Sequence, residues 1–185
     1  MTDERKIMKM LADPKTKREA FGLVVRQYSE KLYTIVRRMV ISHDDADDVL
    51  QNAFLKAWER LDTFRNDSKL STWLYRIAVN ESLDFIRKRK NERVEAGMQS
   101  GDDEHNGLAE RLMADNYFDG DETQALLQEA IAQLPDVQRT VFNMRYFENI
   151  RYSEISRILG TSEGALKASY HIATKKITEY FNNHD

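Results

Sequence analysis

Two prolines and seven glycines in 185 residues leave this chain little with which to break a helix or build tight strand turns. Gly and Pro are the strongest punctuators of local structure, so their scarcity favours long uninterrupted elements. Ala, Leu, Glu, Lys and Arg are plentiful, and no stretch shows the strict alternation of a half-buried strand. The expected fold class is all-α. Four of the glycines, Gly97, Gly101, Gly107 and Gly120, fall within residues 93–122. That segment carries nine acidic and two basic side chains and has no apolar periodicity. It reads as a flexible acidic linker with a short helical piece at Leu108–Met113. It separates an N-terminal helical bundle, residues 1–92, from a C-terminal four-helix domain, residues 123–185.

The formal net charge of −3 conceals this division. Residues 1–92 sum to +4, the linker to −7 and residues 123–185 to zero. A mildly basic first half is compatible with a nucleic-acid partner even though the whole chain is acidic. With no Cys, disulfides and thiolate–metal sites are excluded. The N-terminus lacks the apolar run of a signal peptide, and no segment approaches the ~20 apolar residues of a membrane span. The expectation is a soluble cytoplasmic protein without membrane insertion. His43, His105, His171 and His184 are scattered, and neither a phosphate-binding glycine loop nor a paired acid–base constellation occurs. No enzyme activity, small-molecule substrate, cofactor or metal is therefore expected. Asp44, Asp45, Asp47 and Asp48 are dense enough to raise a metal site, but four acids on one turn point in different directions. No glycine-bearing calcium loop accompanies them.

Apolar spacing places the helices. Lys15–Ile41 reads as two helices or one bent helix, with Leu32, Ile35, Val36, Met39 and Val40 inward. Ser42 is a suitable N-cap, and the Asp cluster suits the positive end of the next helix, which runs to about Leu61. Ala46, Val49, Leu50, Ala53, Phe54, Ala57 and Leu61 form its buried stripe. Asp44, Asp48, Gln51, Leu55 and Glu59 fall on its outer face. An exposed Leu among acids suits protein docking rather than DNA, since acids repel phosphates; an ordinary solvated face is the plainer alternative.

After a break at Asp62–Ser68, Leu70 to about Lys90 forms a helix with two apolar stripes, one of Leu70, Trp73, Leu74, Ile77 and Phe85, the other of Val79, Leu83 and Ile86. Between them lies a polar strip of Lys69, Arg76, Asn80 and Arg87. The preceding loop adds Phe64, Arg65, Asn66 and Ser68. Aromatic faces beside cations are what unstacked single-strand bases require. Core packing is the simpler reading for Trp73 and an equal competitor for Phe64.

In the last third, Leu126 to Leu134 form a stripe ended by Pro135, and Val137 to Phe147 give a second helix. Tyr152–Leu159 gives a short third. Gly160 precedes a long helix from about Ser162 to Phe181, and this arrangement is a helix-turn-helix pattern. Leu166, Tyr170, Ala173 and Ile177 should face the core, leaving Gly164, Lys167, Ala168, His171 and Lys175 outside. Lys167 and His171 are placed to donate to bases, while Lys175, Lys176 and Arg139 are placed for phosphates.

These residues carry a family resemblance. The runs Asp44–Trp58 and Phe64–Asn80, then Leu83-Asp84 and the basic run Arg87 to Lys90, resemble region two of the extracytoplasmic-function sigma factors. Leu134-Pro135, Arg139, Val141-Phe142, Arg145-Tyr146, Tyr152–Ile155, Leu159-Gly160 and Lys175–Ile177 resemble region four. The resemblance implies an alternative sigma factor whose partners are core RNA polymerase, promoter DNA and, as for many members, an anti-sigma factor. It implies polymerase docking through Asp44, Asp48, Gln51, Leu55, Trp58 and Glu59. Melting and holding of the minus-ten element would fall to Phe64, Arg65, Asn66, Ser68, Lys69, Arg76, Asn80 and Arg87. Duplex reading of the minus-thirty-five element would involve Arg139, Arg151, Ser162, Glu163, Gly164, Lys167, Ala168, His171 and Lys175. The linker would thread a basic polymerase channel, although a solvated tether fits its charge equally well.

The recognition helix departs from the family's frequent Lys-Ser-Arg, reading Lys167-Ala168-Ser169 and then Tyr170. The missing Arg removes a strong guanine or phosphate contact, so a standard promoter consensus does not transfer. Two rivals share some of these features: a helix-turn-helix regulator that acts without polymerase, and a helical adaptor that binds only proteins.

Overall fold

The computed structural model describes residues 4–64, 68–96, 113–114 and 120–184. Apart from a helical pair at 113–114, the regular structure of the described residues is eight α-helices and one 3-10 turn. The N-terminal part comprises α1 (Glu4–Ala12), α2 (Lys17–Val40), α3 (His43–Glu59), the 3-10 turn Leu61–Thr63, and α4 (Leu70–Glu95). The C-terminal part comprises α5 (Glu122–Ala132), α6 (Asp136–Tyr146), α7 (Tyr152–Leu159) and α8 (Glu163–Asn182).

α2 is the single-helix version of the two readings, and it is the central post. Val24, Leu32, Ile35, Val36 and Met39 are buried along it. Ile41 ends it at φ 71°, a strained value for a β-branched residue, held by its N–H donating to the Arg37 carbonyl at 2.8 Å. Ser42 then caps α3, its hydroxyl accepting from the Asp45 N–H at 3.4 Å. α3 turns Ala46, Val49, Ala53 and Ala57 inward, and these small side chains let it lie close to α2 and α4. Two ion pairs set its direction against α4: Lys56–Glu81 at 2.5 Å and Asp45–Arg89. Numbers rise along one helix as they fall along the other, so the two run antiparallel.

Two boundaries differ from expectation. α1 was not anticipated, although Ile7 and Leu11, one turn apart, are both buried. Its Glu4 carboxylate accepts from the Leu70 N–H at 3.1 Å and so serves the first turn of α4, where Lys69 makes no side-chain cap. α4 runs five residues past Lys90, because Asn91–Glu95 contains no breaker and a Lys88–Glu92 pair at 3.7 Å supports the turn.

In the C-terminal part, Asp121 caps α5, its carboxylate accepting from the Gln124 N–H at 2.9 Å. Gly160 closes α7 at φ 66°, where a side chain would be strained. Ser162 caps α8 by accepting from the Ala165 N–H at 3.3 Å. Ala130, Ile131, Leu134, Phe142, Ala173 and Ile177 form the local core, with Phe142 stacked between Tyr146 and Tyr170 at 5.0 and 5.6 Å.

The two parts do not keep separate cores. Val141, Met144, Ile155, Ile158 and Leu166 belong to one apolar cluster with residues of α1–α4. α6 lies against α2, and α7 against α4. α6 is therefore apolar on two faces, one turned to its own domain and one to the neighbouring domain. Of the linker, the structure describes only its edges and residues 113–114, so the helical piece expected at Leu108–Met113 lies outside the described residues except for Met113.

Candidate protein-docking and nucleic-acid interfaces

α3 presents Asp44, Asp48, Gln51, Leu55 and Glu59 to solvent on one face, with Leu55 56% exposed. Trp58 at the rim is partly used for packing: its ring lies edge-on to Phe21 at 5.1 Å and under the Lys17 ammonium at 5.6 Å. The other acids of the cluster point elsewhere. Asp45 pairs with Arg89, and Asp47 lies 3.5 Å from His43 Nε2, while His43 Nδ1 meets the Tyr33 hydroxyl. Among the described residues, no group of His, Cys, Asp and Glu is arranged to hold a metal ion. The outer face thus keeps an apolar side chain in an acidic rim.

Lys69, just before α4, and Arg76, Asn80 and Arg87 on it are all exposed and follow one strip, flanked by buried Leu74, Ile77 and Val79. Arg87 lies 3.3 Å from Asp84. Arg76 is engaged across the domain boundary, its guanidinium donating to the Arg157 carbonyl in the last turn of α7. At the head of the strip, Phe64 tilts over Trp73 with ring centres 5.1 Å apart. Both rings are half-buried and pack against the core, in keeping with the core-packing reading for each. Ser68 is half-buried beside them, and Arg65 and Asn66 lie outside the described residues.

α8 turns Leu166, Ala173 and Ile177 into the core with Tyr170 half-buried beside them. Glu163, Gly164, Lys167, Ala168, His171, Lys175 and Lys176 are exposed. Ser162 spends its hydroxyl on the cap. Lys167 Nζ sits 5.7 Å from the Tyr152 ring, and Lys175 pairs with Glu179 at 3.7 Å. Arg151, at the N-cap of α7, is exposed and makes no side-chain cap, so its cation is available beside the start of the helix-turn-helix.

Arg139 does not join this surface. It is 7% exposed and donates to the carbonyls of Ile131, Ala132 and Leu134 at the end of α5, and to that of Met39 at the end of α2. Helix C-termini carry partial negative charge, and a guanidinium fork satisfies several orphan carbonyls at once. The phosphate contact expected of Arg139 is not open to it in this arrangement. An Arg in an amphipathic helix reads from sequence as an outward cation, and nothing in the local pattern distinguishes a capping guanidinium from a phosphate-binding one. Arg38, Asn143 and Glu148 were also not singled out from sequence, although they too lie where the two domains meet.

Residues 24–92 match the family model of Sigma-70 region 2, and residues 124–177 match that of Sigma-70, region 4. In fold, the chain is similar to CnrH in complex with the cytosolic domain of CnrY, with a TM-score of 0.70, 22% identity and 99% of both chains covered. It is also similar to the sigma factor RpoE in complex with the anti-sigma factor NepR from Bartonella quintana. There the TM-score is 0.66, with 21% identity and coverage of 88% of this chain and 96% of that one. Those features define a two-domain sigma-70-type helical protein. In sequence, it is 34% identical over 160 residues to the ECF RNA polymerase sigma factor SigW of Bacillus subtilis, covering 83% of this chain and 84% of the relative. It is 32% identical over 163 residues to the ECF RNA polymerase sigma-E factor of Escherichia coli K12, covering 86% and 85%. The chain belongs to the ECF RNA polymerase sigma factor family.

Proposed function

We propose that this chain acts as an alternative sigma factor, joining core RNA polymerase and carrying it to promoters that it then opens. Its three chemically distinct faces divide the work. The acidic-apolar face of α3, centred on Leu55, docks on polymerase. The α4 strip of Arg76, Asn80 and Arg87, headed by Phe64 and Lys69, holds separated minus-ten bases by stacking and charge. The outer face of α8, with Arg151 beside it, reads the minus-thirty-five duplex through its major groove. The work is binding throughout, with no reaction on a substrate.

The observation that carries this reading is the direct pairing of α3 with α4, each of which keeps a chemically distinct exposed face. An acidic face with an exposed Leu and a cationic strip near an aromatic pair are carried by two adjacent antiparallel helices. A regulator that only bound DNA would have no use for the first face, and a protein-only adaptor no use for the second. The acidic residues 93–122 join the two domains and are suited to a basic channel on polymerase. An anti-sigma protein is a fitting regulator, since CnrH and RpoE are each seen in complex with another protein and the latter's is an anti-sigma factor. Among the described residues no helix is long and apolar enough to cross a membrane. The cytoplasm, where polymerase works, is the compartment this role requires.

In vitro transcription from a promoter library with purified core polymerase tests the reading. Adding the chain should produce RNA from a discrete set of start sites. RNA that is start-selective without the chain, or unselective with it, would contradict the proposal.

A further inference from the structure

Ile172 has no evident structural employment. It is 44% exposed on α8 and joins neither apolar cluster of the described residues, whereas Leu166, Ala173 and Ile177 of the same helix are buried. Helical spacing puts it one turn beyond Ala168, on the side away from the core. Lys175 and Lys176 follow by three and four residues, and Lys167 and His171 line the flank beyond Ala168; all are exposed. The acids of α8 stand off from this spot. Glu163 opens the helix, and Glu179 is paired with Lys175 at 3.7 Å. An apolar side chain within a cationic rim suits a groove bordered by phosphates, since the cations would gain nothing from a purely apolar partner.

The major groove offers each base a distinct contact. Guanine is read by Arg or Lys, adenine by bidentate Asn or Gln, and thymine by apolar contact with its methyl group. Between Glu163 and Glu179, α8 contains no Arg, Asn or Gln. Both bidentate modes are thereby lost to this stretch. Lys167 remains as a donor, but as a point charge that leans toward the Tyr152 ring at 5.7 Å. Thymine is the base for which the face keeps a preset partner. Ile is β-branched, so in a helix one rotamer dominates and its methyl groups lose little freedom on contact. Gly164, Ala165 and Ala168 keep the preceding turns slim, which lets the helix sit close to the base edges.

We propose that Ile172 is a specificity-determining residue that reads a thymine methyl group, with Ala168 against a second. The inference rests on the duplex-reading role proposed for α8. Four residues of helix rise about 6 Å, close to two base-pair steps of about 3.4 Å. The preferred duplex therefore carries thymines about two pairs apart, chosen by shape and methyl contact. The flanking lysines hold phosphates and add affinity without choosing bases.

Deleting single methyl groups from the DNA tests this. Duplexes are enriched from a random library by the full chain, once alone and once with core polymerase. Each thymine of the enriched element is then replaced by deoxyuridine, which removes the methyl and keeps the base pair. At the position facing Ile172, replacement should weaken binding about fourfold, the weight of one buried methyl-sized group. Ile172→Ala should weaken binding to the thymine duplex similarly, and replacement at that position should then have no further effect. The variant should fold, because Ile172 is exposed and Ala is the better helix former. Deoxyuridine without effect at every position would overturn the proposal and leave Ile172 to a protein partner. Equal sensitivity to deoxyuridine in Ile172→Ala would overturn it too. Failure to enrich any duplex in either condition would overturn both the proposal and the duplex-reading role of α8. Methyl-dependent binding by a chain that never yields start-selective RNA would count against the sigma-factor reading and leave the role of Ile172 standing. Start-selective RNA without methyl dependence would do the reverse.

Discussion

The two faces proposed to bind nucleic acid differ in how freely they are offered. On α8, Lys167, Ala168, His171 and Lys175 are exposed on a helix whose other side is anchored by Leu166, Ala173 and Ile177. On α4, Asn80 and Arg87 are open, but Arg76 is held by the neighbouring domain. Under the proposed function, the face for duplex reading stands exposed, while one cation of the strip for strand capture is engaged.

Arginines sharpen the same contrast. Arg151 is exposed and uncommitted to a cap, Arg76 is exposed but engaged, and Arg139 is buried among carbonyls. The largest expected effect therefore belongs to Arg139→Ala. It should cost about 3 kcal/mol of stability, because it strips buried carbonyls of their donor. Urea unfolding measures this; an unchanged midpoint together with weaker duplex binding would return Arg139 to the DNA surface. Leu55→Asp comes next. It should weaken core-polymerase binding by about 2 kcal/mol, roughly thirtyfold, by placing a charge in an apolar contact. The fold should be intact, since Leu55 is exposed. Native-gel titration at wild-type affinity would remove α3 as the docking face.

Smaller effects discriminate within the C-terminal domain. Lys175→Ala should reduce the salt slope of duplex binding by about 1 and cost roughly 1 kcal/mol, whereas an exposed neutral change toward the C-terminal end of α8, Thr178→Ala, should leave the slope unaltered. The smallest effect is alkaline. Burial, with Glu148 and Tyr28 nearby, pushes the Tyr75 phenol up to about 12 from 10.0. Protonated Tyr75 is favoured in the folded form, so its contribution is fully present below pH 10. It is lost as pH rises through the window toward 12. Circular dichroism should show the Tyr75→Phe variant losing less stability across that window than the wild type.

Much of the fold was legible because caps and breakers mark it. Ser42, Gly160 and Ser162 act through local hydrogen bonds or a single φ value, so the starts of α3 and α8 and the end of α7 follow from a few neighbouring residues. The exposed faces of α3 and α8 were equally readable, since helical spacing alone separates Leu55 from Ala53 or Lys167 from Leu166. Long-range choices were not. Whether Val141 and Met144 face their own domain or α2 depends on a partner that is more than 100 residues earlier in the chain. The same holds for Arg139, whose acceptor on Met39 is 100 residues away, and for Glu4, which serves Leu70 from 66 residues away. α1 was readable in principle from Ile7 and Leu11, but so short a helix has little standing until something packs against it.

The division of labour between α3 and α4 meets its most direct test in permanganate footprinting of promoter DNA with holoenzymes carrying Asn80→Ala or Phe64→Ala, at concentrations where core polymerase is saturated. Thymines around the minus-ten element should lose reactivity while native gels show unchanged polymerase binding. Wild-type thymine reactivity in both variants would contradict the assignment of strand capture to the α4 strip.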